Sequence, residues 1–182
     1  LSYAAFYQLI EQLLKEGKTT GNNQSAEFVE YARVNYQRMA RVYKTTVLSV
    51  PLLQALAALQ KHHTFLVITE GWCGDSSQNL PVLNLIGKAC PSINLKLILR
   101  DEHPGLIDQY LTNGARAIPK LICLKKDPAT GNTFTEVFVW GPRPAALQKI
   151  VMELKKENVP VAEKGLITQN WYNADKTQSL LQ

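Results

Sequence analysis

Cysteine is scarce in this chain, with three among 182 residues, at Cys73, Cys90 and Cys123. That number and spacing exclude a disulfide-stapled scaffold and a four-cysteine zinc site, and they fit a reducing compartment. Long apolar runs are missing too: none approaches the roughly 18 to 20 residues of a membrane-spanning helix. Charge is modest, at 19% of residues with a net value of +5, too little to mark a nucleic-acid surface. There is no internal repeat and no low-complexity segment, which removes solenoid and fibrous architectures. His62, His63 and His103 lack a recognisable ligand spacing, so no metal site is expected, and no feature calls for a cofactor. What remains is a globular chain, 46% apolar, long enough to bury a real core. A cytoplasmic location is expected. The sequence opens on Leu1 and not on methionine, so preceding residues are expected, and a removed signal peptide stays open as the competing reading.

Apolar periodicity divides the chain into three parts. Residues 1–49 read as an N-terminal helical extension. Tyr3, Phe6, Tyr7, Ile10, Leu13 and Leu14 share one face of a first helix, and 17–23 form a turn-rich break. A second helix starts near Ser25, a good cap, with Phe28, Tyr31, Ala32, Met39 and Val42 inward. Residues 50–157 alternate strand and helix signals after a helix opened by Ser49 and Pro51, whose Leu52, Leu53, Leu56 and Leu59 face inward. The order is a strand at 65–68, a helix at 74–89, a strand at 93–99, a short helix at 106–111, strands at 120–124 and 134–140, and a helix at 143–156. Thr130-Gly131-Asn132 reads as the turn of a hairpin between the last two strands. Two parallel strands followed by an antiparallel pair predict a mixed sheet. Residues 158–182 read as a tail with short helices, with Leu166, Ile167 and Trp171 on one face, folding back onto the same single domain.

The richest segment is Gly71-Trp72-Cys73-Gly74-Asp75-Ser76-Ser77-Gln78-Asn79-Leu80. It sets a thiol at a strand-to-helix junction, where free backbone N–H groups and the helix dipole favour thiolate. A second cysteine three residues on would make a redox motif; Ser76 stands there instead. Four points of the chain together resemble thioredoxin. Trp72-Cys73-Gly74-Asp75-Ser76 is similar to the family's Trp-Cys-Gly-Pro-Cys, and Pro81 matches its helix-kinking proline. Gly114-Ala115-Arg116-Ala117-Ile118-Pro119-Lys120 is similar to the approach to its cis-proline, and Trp140-Gly141 to the glycine lining the same groove. The likeness spans about residues 50–157 and is nearest to bacterial members with helical N-terminal extensions. It implies an α/β, thioredoxin-like fold, a central mixed β-sheet flanked by helices.

Three departures shape the expected function. Ser76 cannot form a disulfide, Cys90 lies on the order of 25 Å down the helix, and Cys123 reads as a small buried hydrophobe, so no dithiol cycle is expected. Asp75 repels a developing thiolate, making Cys73 less acidic than in a dithiol relative. Val67 occupies the place of the family's buried, proton-managing aspartate. The resemblance then implies a monothiol disulfide oxidoreductase: Cys73 attacks a protein or peptide disulfide, and glutathione or another small thiol resolves the mixed disulfide. Trp72, Gly74, Asp75, Ile118, Pro119 and Gly141 would bind the substrate. The alternative is a non-catalytic module using the same groove for a peptide or protein partner, with Cys73 an idle remnant. Ser76 either bonds the Cys73 sulfur or caps the helix, the latter preferred. Pro119 is read as cis against the plainer role of starting a strand, and Trp72 as a shield for the thiol against ordinary core. Arg33, Arg38, Arg41 and Lys44 form a stripe read as a solvated helix face, since no nucleic-acid motif accompanies it.

Overall fold

The computed structural model describes residues 1–126 and 133–181. Three helices come first, α1 (Tyr3–Lys15), α2 (Ala26–Thr45) and α3 (Val50–Ala57). Each opens on a serine whose hydroxyl accepts a backbone N–H one turn on: Ser2 from Ala5, Ser25 from Phe28 and Ser49 from Leu52. In α2 the buried positions are Val29, Ala32, Asn35, Met39 and Val42, a stripe at steps of three and four that lies against the core. Tyr31, expected inward, is 44% exposed, because it lies one position off that stripe. Leu53 of α3 is likewise outward, at 41%, while Leu52, Leu56 and Leu59 pack inward.

The strands are β1 (His63–Thr69), β2 (Ile93–Leu99), β3 (Lys120–Lys126) and β4 (Phe134–Trp140). They form one sheet in the order β2-β1-β3-β4. β1 runs parallel to β2, pairing His63 with Ile93 and Thr69 with Leu99. β1 and β3 are antiparallel, as are β3 and β4, the latter with an irregularity between Cys123 and Leu124. A strand's side chains alternate between faces, so β1 sends Phe65 and Val67 one way and Leu66 and Ile68 the other. The first pair meets Phe6 and Ile10 of α1, Met39 of α2 and Leu80 and Leu83 of α4 (Gly74–Ala89). The second meets Leu106, Ile107 and Tyr110 in and after α5 (Pro104–Ile107). The fold is thus α/β and thioredoxin-like, a mixed sheet with helical segments against both faces. The helix expected at 106–111 is shorter and earlier, since Pro104 opens it at its first turn and a turn follows Ile107. The turn expected at Thr130-Gly131-Asn132 lies outside the described residues.

The chain continues through α6 (Ala145–Lys156), α7 (Val161–Asp175) and α8 (Gln178–Leu181). The tail folds back: Leu180 and Leu181 pack with Val42 of α2, Val82 and Ile86 of α4 and Ile93 of β2. Leu166, read as part of the inward face of α7, is 62% exposed; the residue that α7 buries is Tyr172. Strand direction decides where function can sit. β1 ends, β3 begins and β4 ends at the same edge of the sheet, so Cys73, Pro119 and Gly141 converge there from three separate parts of the chain.

Candidate functional site

α4 begins at Gly74, and Cys73 is its N-cap: the sulfur accepts the Ser76 backbone N–H at 3.4 Å. This assigns the cap to the cysteine. Ser76, expected to cap, lies inside the first turn with a buried hydroxyl that has no hydrogen-bond partner among the described residues. The hydroxyl is nevertheless close enough to the Cys73 sulfur to favour thiolate. The Cys73 thiol donates to the Ile118 carbonyl at 3.2 Å. The Ile118–Pro119 and Gly141–Pro142 peptide bonds are both cis. Gly141 has φ +114°, and a Cβ there would stand 2.2 Å from the Pro119 carbonyl oxygen, so only glycine fits.

Cys73 is not exposed at the helix start. It is 8% accessible and packed among Ile68, Ile107, Ile118 and Ile122. Burial pushes its thiol up to about 11, with the nearby Asp75 carboxylate adding to the rise, against smaller opposing pulls from Ser76 and Arg143. The expectation that the helix N-terminus would yield a thiolate is therefore corrected: desolvation outweighs the dipole. The expectation that Asp75 would oppose ionisation stands.

Asp75 is itself buried and held from three sides. Its Oδ2 pairs with an Arg143 guanidinium nitrogen at 2.7 Å, and its Oδ1 accepts the Tyr172 hydroxyl at 2.9 Å. The Asn79 amide donates both to the Tyr172 oxygen, at 3.1 Å, and to the Asp75 carbonyl, at 2.8 Å. Burial raises the Asp75 pKa, and Arg143, Tyr172 and Arg38 pull the other way. Burial and the Asp75 charge together push the Tyr172 phenol far up, so it stays a donor. A second set of bonds ties α2 to the motif. Asn35 donates to the Gly71 carbonyl at 3.2 Å, Arg38 donates to Asn35 Oδ1 at 2.6 Å and to Ser77 Oγ at 3.4 Å, and Ser77 donates to the Gly74 carbonyl at 2.6 Å. Trp72 packs on Phe28 with centroids 5.1 Å apart, and Arg100 lies 4.7 Å over its ring.

The predicted residues thus fall into two groups. Cys73, Ser76, Ile118, Pro119 and Gly141 meet at the sheet end. Trp72 packs against the cluster of Cys73 and Ile118 and, with Gly74 and Asp75, also lines a cleft of about 740 Å³ between α2, α6 and α7, with Tyr31, Val34 and Arg143. Arg143, Tyr172, Asn79 and Asn35 escaped sequence reasoning. One signal pointed to them: residues 76–87 carry no charge, so the lone carboxylate heading that helix would be buried and need a cation.

A family model described as thioredoxin matches residues 21–157. The chain belongs to the thioredoxin family. The matched span takes in α2, the helix that hydrogen-bonds the motif, as well as the sheet. Among solved structures, a Pseudomonas aeruginosa protein of unknown function is similar over 99% of this chain and 97% of its own, at 20% identity and a TM-score of 0.55. An HIV 4E10 epitope-scaffold is similar over 81% of each chain, at 22% identity and a TM-score of 0.53. Both likenesses speak to the fold alone. No curated protein matches. No helix among the described residues is long and apolar enough to cross a membrane.

Proposed function

We infer that this thioredoxin-fold protein carries out monothiol thiol–disulfide exchange through Cys73. The observation that carries the reading is the placement of the sulfur. It caps α4 and faces the Ile118 carbonyl beside Pro119 and Gly141, where an extended substrate segment can pair with the Ile118 backbone. At rest the thiol is protonated and spends its proton on that carbonyl. A docking segment that claims the carbonyl with its own N–H frees the thiol, which loses its proton to solvent; Ser76 and Arg143 ease that loss and Asp75 opposes it. The thiolate attacks one sulfur of a protein or peptide disulfide; the S–S bond breaks and the departing thiolate takes up a proton. Ser76 leaves the resulting mixed disulfide without an internal resolving thiol. A thiol such as glutathione, abundant in the cytoplasm, attacks the linked sulfur, and Cys73 leaves as thiolate and is reprotonated.

Mass spectrometry tests this directly. Incubation with oxidised glutathione should give one glutathione adduct on Cys73, reversed by reduced glutathione and absent from Cys73→Ala. Absence of an adduct after prolonged incubation at pH 8 sinks the exchange reading. The burial of Cys73 would then favour the second reading, a groove that holds a peptide or protein partner without covalent chemistry.

A further inference from the structure

Arg38, Arg41 and Lys176 line a second cleft, of about 780 Å³, between α2 and the C-terminal end of α7. None of its lining residues is acidic; besides these cations they are Val34, Val42, Tyr172 and the polar residues Gln37, Thr45, Thr46, Gln78, Gln169, Asn173 and Thr177. Arg38 and Arg41 are close enough that the charge on Arg41 helps hold Arg38 below its usual range, after burial. Among the described residues neither Arg41 nor Lys176 has a side-chain hydrogen bond or an ion pair. Asp175, the acid next to Lys176, has its carboxylate turned to the Ser179 backbone N–H at 3.2 Å. The fold therefore brings three cations from two helices to one concavity: Arg38 lies within reach of the Asp75 charge and bonds Asn35 and Ser77, while Arg41 and Lys176 meet no acidic residue in the lining, which favours an anion there.

The hydrogen-bond inventory narrows the class. Several acceptors along the cleft are engaged. Asn173 Oδ1 accepts from Gln169, Gln169 Oε1 accepts from Gln78, and the Tyr172 oxygen accepts from Asn79. The Thr45 and Thr46 hydroxyl protons go to the Arg41 and Val42 carbonyls. Among the described residues the charged donors, the Arg41 guanidinium and the Lys176 ammonium, are left uncommitted, along with the Asn173 amide nitrogen. Donors converging from separate elements suit a tetrahedral group with oxygens on several sides, whereas a planar carboxylate is satisfied by a single guanidinium fork. We propose that this cleft is a binding site for a small phosphoryl anion, held by Arg38, Arg41 and Lys176. The site shares Val34, Arg38, Gln169 and Tyr172 with the cleft that Trp72, Gly74 and Asp75 line, takes in none of Cys73, Ile118, Pro119 and Gly141, and does not depend on whether Cys73 turns over.

Calorimetric titration of the full chain with inorganic pyrophosphate at low salt tests it, with citrate as the carboxylate counterpart. Pyrophosphate should bind saturably, one per chain, and at least tenfold more tightly than citrate. The Arg41→Gln/Lys176→Asn variant should lose at least tenfold in affinity. Its thermal midpoint without anion should hold or rise, since two like charges leave the surface and asparagine suits the left-handed backbone of residue 176, φ +48°. Arg41→Gln alone, at an exposed position, should lose at least threefold. Cys73→Ala should bind as the parent does, which separates this site from the exchange chemistry. Non-saturable heats, unchanged affinity in the double variant, or citrate binding as tightly as pyrophosphate would each overturn the assignment.

Discussion

The pH dependence of Cys73 alkylation follows from the burial of the thiol. With its pKa at about 11, Cys73 is ionised at pH 7 in about one molecule in 10,000, against about 3% for a free cysteine of pKa roughly 8.5. That is about 300-fold less thiolate. A more basic thiolate is a better nucleophile, with a Brønsted slope of about 0.45, which returns roughly tenfold. The net expectation is a rate on the order of 20 to 30 times below that of a free cysteine at pH 7, before any further slowing from restricted access. The rate should climb tenfold per pH unit through pH 9 without a plateau. Peptide-resolved mass spectrometry after timed iodoacetamide exposure reads it, with the buried Cys90 and Cys123 as internal references. A plateau below pH 9, or a pH 7 rate matching a free thiol, would refute the argument that desolvation beats the helix dipole. The same shift has a stability consequence. The native thiol holds its proton where the unfolded one has lost it, so stability falls as pH rises from roughly 8.5 to about 11.

Two further substitutions probe the surroundings. Asp75→Asn removes a charge that opposes thiolate, so Cys73 should alkylate faster at pH 7 while Cys90 and Cys123 stay unchanged; a uniform rise at all three would signal loosening of the fold instead. The same change strands Arg143 and should lower stability by about 3 kcal/mol, read by denaturant midpoint. Gly141→Ala forces a Cβ to 2.2 Å from the Pro119 oxygen at φ +114°, and should lower stability by at least about 3 kcal/mol, or about 6 to 12 °C in Tm. A Tm within 2 °C of the parent would show that the loop relaxes.

How far the sequence foretold this depends on the range of the interaction. β2 and β4 stand at 93–99 and 134–140 as their apolar runs and flanking breaks indicated, and the serine caps of α2 and α3 lie where local chemistry put them. Those signals are short-range. The convergence of Cys73, Ile118 and Gly141 was legible through the thioredoxin motifs. What escaped was set by burial and by partners far along the chain. A cysteine heading a helix reads as activated until the isoleucines that enclose it are placed. Asp75 reads as a solvated carboxylate until Arg143 and Tyr172 arrive from 68 and 97 residues away. Tyr31 and Val29 differ by two positions in a helix whose inward angle only packing defines.

The hydrogen bond from Tyr172 to Asp75 also orders events during synthesis. A chain made from its amino end carries Asp75 and the thiol beside it for 97 residues before the tyrosine that secures the carboxylate exists. The sheet strands, complete by Trp140, can assemble first. The surroundings of Cys73 then acquire their final electrostatics only when α7 has emerged and docked, so a nascent or carboxy-terminally clipped chain presents the same thiol in a different chemical state from the finished molecule.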